Sequence, residues 1–164
     1  MNKDFIVRQQ DLKDCGVCSL LSIIKYYGGF IPLEKLRVDT QTSLEGTTAY
    51  HLVKAAENYG LNAYGAKLEK ISDLENIVLP AIAHVIVKGF NHFLVIYKVT
   101  KNEIIVMDPA KGKVKMKKQE FESIWTNHVI ILYPNHELPN ITNKNYMVQM
   151  LLAFFKTERK SILK

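Results

Sequence analysis

The stretch QQDLKDCGVCSL, residues 9–20, holds both cysteines of the chain, Cys15 and Cys18. Three chemistries use sulfur at such a spacing. A Cys-x-x-Cys pair at a helix start serves thiol–disulfide exchange, because the helix dipole favours a thiolate there. That motif follows a buried strand in a βαβ frame, whereas the polar QQDLKD precedes it here and no parallel βαβ pattern follows. A zinc site needs four ligands, usually as two close pairs. Only one cysteine pair exists, and the histidines at 51, 84, 92, 128 and 136 are scattered with no His-x3–5-His spacing. The third use is a nucleophile, with the other cysteine a passenger. A fourth reading needs no chemistry: two buried cysteines act as small apolar residues. It suits Cys18, which falls in a helix body among apolar neighbours. It suits Cys15 less, since Cys15 stands at the helix mouth behind polar residues.

A cysteine nucleophile needs an imidazole base, a group that orients it and an oxyanion donor. A backbone N–H in the first turn of a helix points where an oxyanion would form. The base and its partner are sought in NHFLVIYKVTKNEIIVMDP, two β-rich runs joined by a polar turn near Lys101. Facing residues of a hairpin have a constant sum of numbers. If 98 pairs with 102, His92 faces Asp108; if the register slips by one pair, the two stay diagonal neighbours on one face. Leu94, Ile96, Ile104 and Val106 share that face, so a histidine and an aspartate end an otherwise apolar row. The alternative is a polar pair at the sheet edge that satisfies only itself.

The elements that must position these residues follow from periodicity. Residues 15–27 read as a helix with Val17, Leu20, Leu21, Ile24 and Tyr27 on one face, ended by Gly28–Gly29. Residues 32–38 open with Pro32 and read as a short helix. Residues 47–60 read as a third, capped by Thr47 or Thr48, with Leu52, Ala55, Ala56 and Tyr59 as its stripe. Residues 4–8 read as a short strand. Later the period changes to two: 81–88, 92–99, 103–108 and 128–133 are β-rich, and 117–125 reads as a short helix. Helices first and an antiparallel sheet after predict an α+β fold.

The chain has 164 residues, enough for one domain with a core, and is 48% hydrophobic and 23% charged. Two cysteines are too few for a disulfide scaffold, which favours a reducing compartment. No run is long enough for a signal peptide or a membrane span. Of the net charge of +6, four units sit in residues 143–164, where Lys144, Lys156, Arg159, Lys160 and Lys164 face only Glu158. A basic excess in a tail is not a nucleic-acid footprint. A basic, apolar tail suits a membrane surface or a missing neighbour, or a helix packed on its own domain. PNHELPNITN, residues 134–143, reads as a linker, which divides the chain into a domain at 1–134 and a segment at 135–164.

QQDLKDCGVCSL, LEGTTAYHLVKAAENYG, NHFLVIYKV and VMDPAKG, in this order, resemble the bacteriocin-processing cysteine peptidase domain. That domain forms the N-terminal part of peptidase-containing ABC transporters, which cleave double-glycine leader peptides and export the product. The resemblance covers nearly all of residues 4–133. It implies a papain-like cysteine peptidase fold, N-terminal helices on a C-terminal antiparallel sheet. It implies Cys15 as nucleophile, His92 as base and acid, Asp108 as the group holding the imidazole, and Gln9 rather than Gln10 as the oxyanion glutamine. Cys18 departs from the small residue usual there.

The partners implied are a precursor peptide with an amphipathic helical leader, bacteriocin, lanthipeptide or signalling peptide, and the transporter's transmembrane and ATP-binding domains. A leader would need an apolar groove, with 47–60 and the loop TSLEG as its flanks. The location implied is the cytoplasmic face of a bacterial membrane, with residues 144–164 touching the membrane surface. No cofactor is implied for this domain. ATP and Mg would belong to a nucleotide-binding domain, and no Gly-x4-Gly-Lys-Ser/Thr loop occurs in this chain, which reads as an excised domain or a stand-alone relative. A docking module that binds leaders without cutting them is the competing expectation, and a Cys-x-x-Cys oxidoreductase a further one.

Overall fold

A computed structural model describes residues 2–142, 145–152 and 155. The chain opens with two 3-10 turns, Lys3–Phe5 and Leu12–Asp14, and then three helices: α1 (Cys15–Tyr26), α2 (Leu33–Asp39) and α3 (Ala49–Asn58). The strands are β1 (Leu61–Lys67), β2 (Ala81–Val87), β3 (Phe90–Val99), β4 (Glu103–Asp108), β5 (Gly112–Lys117) and β6 (Trp125–Pro134), with α4 (Lys118–Ile124) between the last two. They form one antiparallel sheet in the order β1-β6-β2-β3-β4-β5. The α+β class expected from the order of periods is what forms.

The sheet is apolar on both faces. One face carries Ile82, Phe93, Val95, Met107, Ile130 and Leu132, which pack with Val17, Leu20, Leu21 and Ile24 of α1. The other carries Leu94, Ile96, Ile104 and Val106 and is covered by Leu74, Phe121 and Trp125. The predicted residues Leu52, Ala55 and Ala56 of α3 are the ones that helix buries. In α1 the predicted Val17, Leu20, Leu21 and Ile24 are buried, but so is every residue from Cys15 to Ile24, and Tyr27 is half-buried just past the helix end. Thr48 is the cap of α3, its hydroxyl accepting the His51 N–H at 3.2 Å.

Three expectations need correction. Residues 4–8 form no strand. Asn2 caps a 3-10 turn, and Phe5 packs its ring edge-on against Tyr26 at 5.3 Å. β1 and β5 are strands that period did not reveal. LNAYGAK has no β-branched residue, and KVKMK lies between a turn and a helix start. The β3–β4 register also differs from the direct facing of 92 and 108. Val95 pairs with Met107 and Ile96 with Val106, and a bulge at Tyr97 then shifts Lys98 onto Ile105. That register sets Asp108 across from Leu94 and His92 diagonal to it, the slipped alternative.

Beyond β6 the chain returns across the domain. Phe30 donates to Pro139 and accepts from Ile141, and Leu138 is buried. Residues 145–152 are helical, and no described helix is long and apolar enough to cross a membrane. The cations on which a membrane-facing segment at 144–164 was expected to rely, Lys144, Lys156, Arg159, Lys160 and Lys164, lie outside the described residues.

Candidate active site

α1 begins at Cys15, whose side chain is 9% exposed. Its neighbour Gly16 meets the loop before α3: a Cβ there would sit 2.5 Å from Thr47 Cγ2 and 3.4 Å from both Leu52 and Phe93. Only a residue without a side chain lets the helix start lie this close to β3 and α3. Cys18, one turn on, is fully buried, and burial followed by the nearby Asp14 charge pushes its thiol up to about 12. A thiol held protonated is a poor partner for disulfide exchange. Both cysteines are free.

His92 and Asp108 end the apolar row of β3 and β4, and the His92 Nε2 lies 2.8 Å from Asp108 Oδ1. The Asp108 side chain is 7% exposed and that of His92 15%. The same carboxylate oxygen accepts the Ala110 N–H at 2.9 Å, and Lys111 Nζ stands 3.8 Å from Oδ2. Burial acts to raise the Asp108 carboxyl, but the His92 hydrogen bond, the Ala110 amide and Lys111 outweigh it and hold it below its usual value. For His92, burial opposes the charged form; hydrogen bonds to Asp108 and to the Cys15 thiol, and the charges of both, override it and push the imidazole up to about 9. The ring is therefore held by the carboxylate through Nε2 and feels the charge of the Cys15 sulfur. With Nε2 on Asp108, Nδ1 remains for the sulfur.

Gln9 is half-buried, while Gln10 is exposed. The Gln9 N–H donates to the Pro109 carbonyl at 3.0 Å, which ties the loop before α1 to the turn after Asp108. The turn itself is held by Arg8, which donates to the Ala110 carbonyl at 3.0 Å and packs over Gly112 at φ +87. The Gln9 side-chain oxygen is buried and has no hydrogen-bond partner among the described residues.

Gln9, His92 and Asp108 open onto a cleft of about 510 Å³ whose lining also includes Leu12, Lys13, Leu44, Glu45, Val87, Phe90, Asn91, Ala110 and Lys111. Leu12, Leu44 and Phe90 are 87%, 90% and 76% exposed, an apolar rim with no internal partner. The loop TSLEG thus lies on the cleft, through Leu44 and Glu45. No residue of α3 lines it. Among the described residues, no group of three or more histidine, cysteine, aspartate or glutamate side chains is placed to hold a metal ion.

A family model for the Peptidase C39 family matches residues 3–137. The chain is 40% identical over 131 residues to the lactococcin-G-processing and transport ATP-binding protein LagD of Lactococcus lactis, a match covering 79% of this chain and 18% of the relative. It therefore spans less than a fifth of that protein's length. Among solved structures it is similar to a double glycine motif protease from an AMS/PCAT transporter in complex with the leader peptide. The TM-score is 0.74 at 36% identity, over 79% of this chain and 91% of that one. It is also similar to the peptidase domain of Streptococcus ComA, a bifunctional ABC transporter of a quorum-sensing pathway. There the TM-score is 0.73 at 34% identity, over 79% and 97% of the two chains.

Proposed function

The chain belongs to the peptidase C39 family, and from that premise we propose that it is a cysteine endopeptidase cutting precursor peptides directly after a double-glycine-type pair. The observation that carries the reading is the His92–Asp108 contact at the edge of an apolar cleft, with the Cys15 thiol at the start of α1 acting on the same imidazole.

The Cys15 sulfur attacks the carbonyl carbon of the second small residue, and the C=O electron pair moves onto oxygen. His92, holding the thiol's proton, passes it to the leaving nitrogen as the C–N bond breaks. The product is a thioester on Cys15. His92 then takes a proton from water, hydroxide attacks the thioester, and the leader departs as a carboxylate while the thiol regains its proton. Asp108 keeps the ring aligned and favours the imidazolium. The Cys15 N–H and the side-chain amide of Gln9 hold the oxyanion.

The substrate would be a bacteriocin, lanthipeptide or signalling-peptide precursor whose amphipathic leader lays its apolar side on Leu12, Leu44 and Phe90. The names of the relatives support placing this unit in a transport protein, with ATP bound by another part of such a protein, and in our reading it works at the cytoplasmic face of a membrane. In that arrangement residues 1–134 form the peptidase and 135–164 lead toward the membrane. The chemistry asks for no cofactor in this chain.

The test is incubation with a precursor carrying a Gly-Gly leader, read by mass spectrometry of the fragments. Cleavage after the pair, lost in Cys15→Ala, supports the reading. Binding without turnover by intact, reduced protein overturns it in favour of a docking module.

A further inference from the structure

Asp14 directly precedes Cys15 with helical backbone angles, φ −86 and ψ −2, and its carboxylate makes no hydrogen bond to α1. It belongs to the turn before the helix, whose N-cap is Asp11, and reaches back to that residue. The side chain is fully buried. Arg37 of α2 grips it as a fork, Nε to Oδ1 at 2.9 Å and an Nη to Oδ2 at 2.7 Å. Oδ2 also accepts the backbone N–H of Asp11 at 3.2 Å. One buried group therefore joins α2, the loop that carries Gln9 and the residue preceding the nucleophile.

The orientation matters because a carboxylate that capped α1 would occupy the amides an oxyanion needs. It would also set a negative charge beside a thiolate. Gln9 is held on the other side by its own N–H to Pro109, so the Asp11 amide on Asp14 completes the anchorage of its loop.

We infer that Arg37 is a positioning residue for the Cys15 site: it holds the Asp14 carboxylate away from the start of α1, so that the first-turn amides stay open to the reacting carbonyl, and it anchors the loop of Gln9. This rests on the peptidase reading above. Arg37 touches no reacting atom and acts through Asp14. Lysine lacks the planar fork and cannot reproduce both contacts.

The experiment uses a Cys18→Ala background, which leaves one thiol, and compares Arg37→Lys, Arg37→Met, Asp14→Asn and Arg37→Met/Asp14→Asn. Three quantities are read at a temperature where circular dichroism shows each protein folded. They are the alkylation rate of Cys15 by iodoacetamide at pH 7, and kcat and KM on a Gly-Gly leader peptide. Arg37→Met is expected to slow alkylation and to lower kcat by about tenfold or more, with KM within about threefold. Adding Asp14→Asn is expected to restore the alkylation rate, since no charge remains to swing beside the thiol, and to restore kcat in part, since the amide oxygen of asparagine still accepts from the first-turn N–H groups. Arg37→Lys is expected to fall between, and it carries the test, with and without Asp14→Asn, if Arg37→Met does not fold. A folded Arg37 variant with unchanged alkylation and kcat overturns the inference, as does a loss that Asp14→Asn fails to relieve. Alkylation needs no substrate. If it follows this pattern while even the parent protein cleaves nothing, the positioning role stands and the peptidase reading falls.

Discussion

Two carboxylate–cation pairs flank Cys15, and they differ in what their cation can do. Asp108 meets His92 at the end of the β3–β4 hairpin, on the rim of the cleft. Asp14 meets Arg37 between two helices, with the carboxylate fully buried. Both are short and direct. The imidazole exchanges its proton at ordinary pH, whereas the guanidinium never does. The first pair is thus suited to move a proton and the second to hold a shape. The chain separates chemistry from scaffolding by the choice of base, not by the choice of acid.

The contrast is broken most severely by removing the imidazole. His92→Ala is expected to lower kcat by about four orders of magnitude, measured on a leader peptide, while the circular dichroism spectrum stays that of the folded protein. Asp108→Asn follows, with a loss of about two to four orders. In the parent protein the rate is expected to fall as pH rises through about 9, where the imidazolium is lost. Asp108→Asn moves that limb to lower pH, because the carboxylate that favours the charged ring is gone.

Stability separates the pairs by its pH profile. The His92 value is raised in the fold, so its contribution is full below the ordinary histidine pKa of about 6.5 and is lost as pH rises toward about 9. Asp14 is lowered, chiefly by its Arg37 hydrogen bond, and Arg37 is raised, chiefly by the same bond. Their contribution is therefore present above the usual carboxylate range and constant up to the arginine range. Thermal melts are expected to show a deficit in His92→Gln that shrinks between pH 6.5 and 9, and a deficit in Arg37→Met that is flat over the same interval.

Smaller effects come from the helix start itself. Gly16→Ala forces a Cβ onto Thr47 and is expected to cost roughly 1–3 kcal/mol in denaturant melts and to lower turnover by displacing Cys15. Cys18→Ala is expected to change kcat by less than about twofold, since its thiol is buried and held protonated. A loss comparable to that of His92→Ala would revive the redox reading.

The hairpin pair was legible only in part. Beside the turn Lys98 faces Ile105 and Val99 faces Ile104, a pairing that by itself would set His92 and Asp108 on opposite faces, and the bulge at Tyr97 restores the even pairing in which they share one. The stripe of α3 was plain. The Asp14–Arg37 pair was not, for it joins positions 23 apart on different elements, and no periodicity links them. The available signal was chemical: an aspartate between a leucine-bearing turn and an apolar helix would be buried and would need a cation. β1 and β5 escaped for another reason. Their strand character comes from pairing with β6 and β4, not from their own residues. The apolar rim of Leu12, Leu44 and Phe90 draws on three separate segments and emerges only in the folded chain.

The most direct measurement is an acid quench of the protein during turnover of a Gly-Gly leader precursor, followed by intact-mass and fragment analysis. The expected species is the protein plus the leader less one water, with the leader carried on Cys15 and absent from Cys15→Ala. Leader release by Cys15→Ala at the parent rate, or an adduct located on Cys18, would contradict the assignment of Cys15 as the nucleophile.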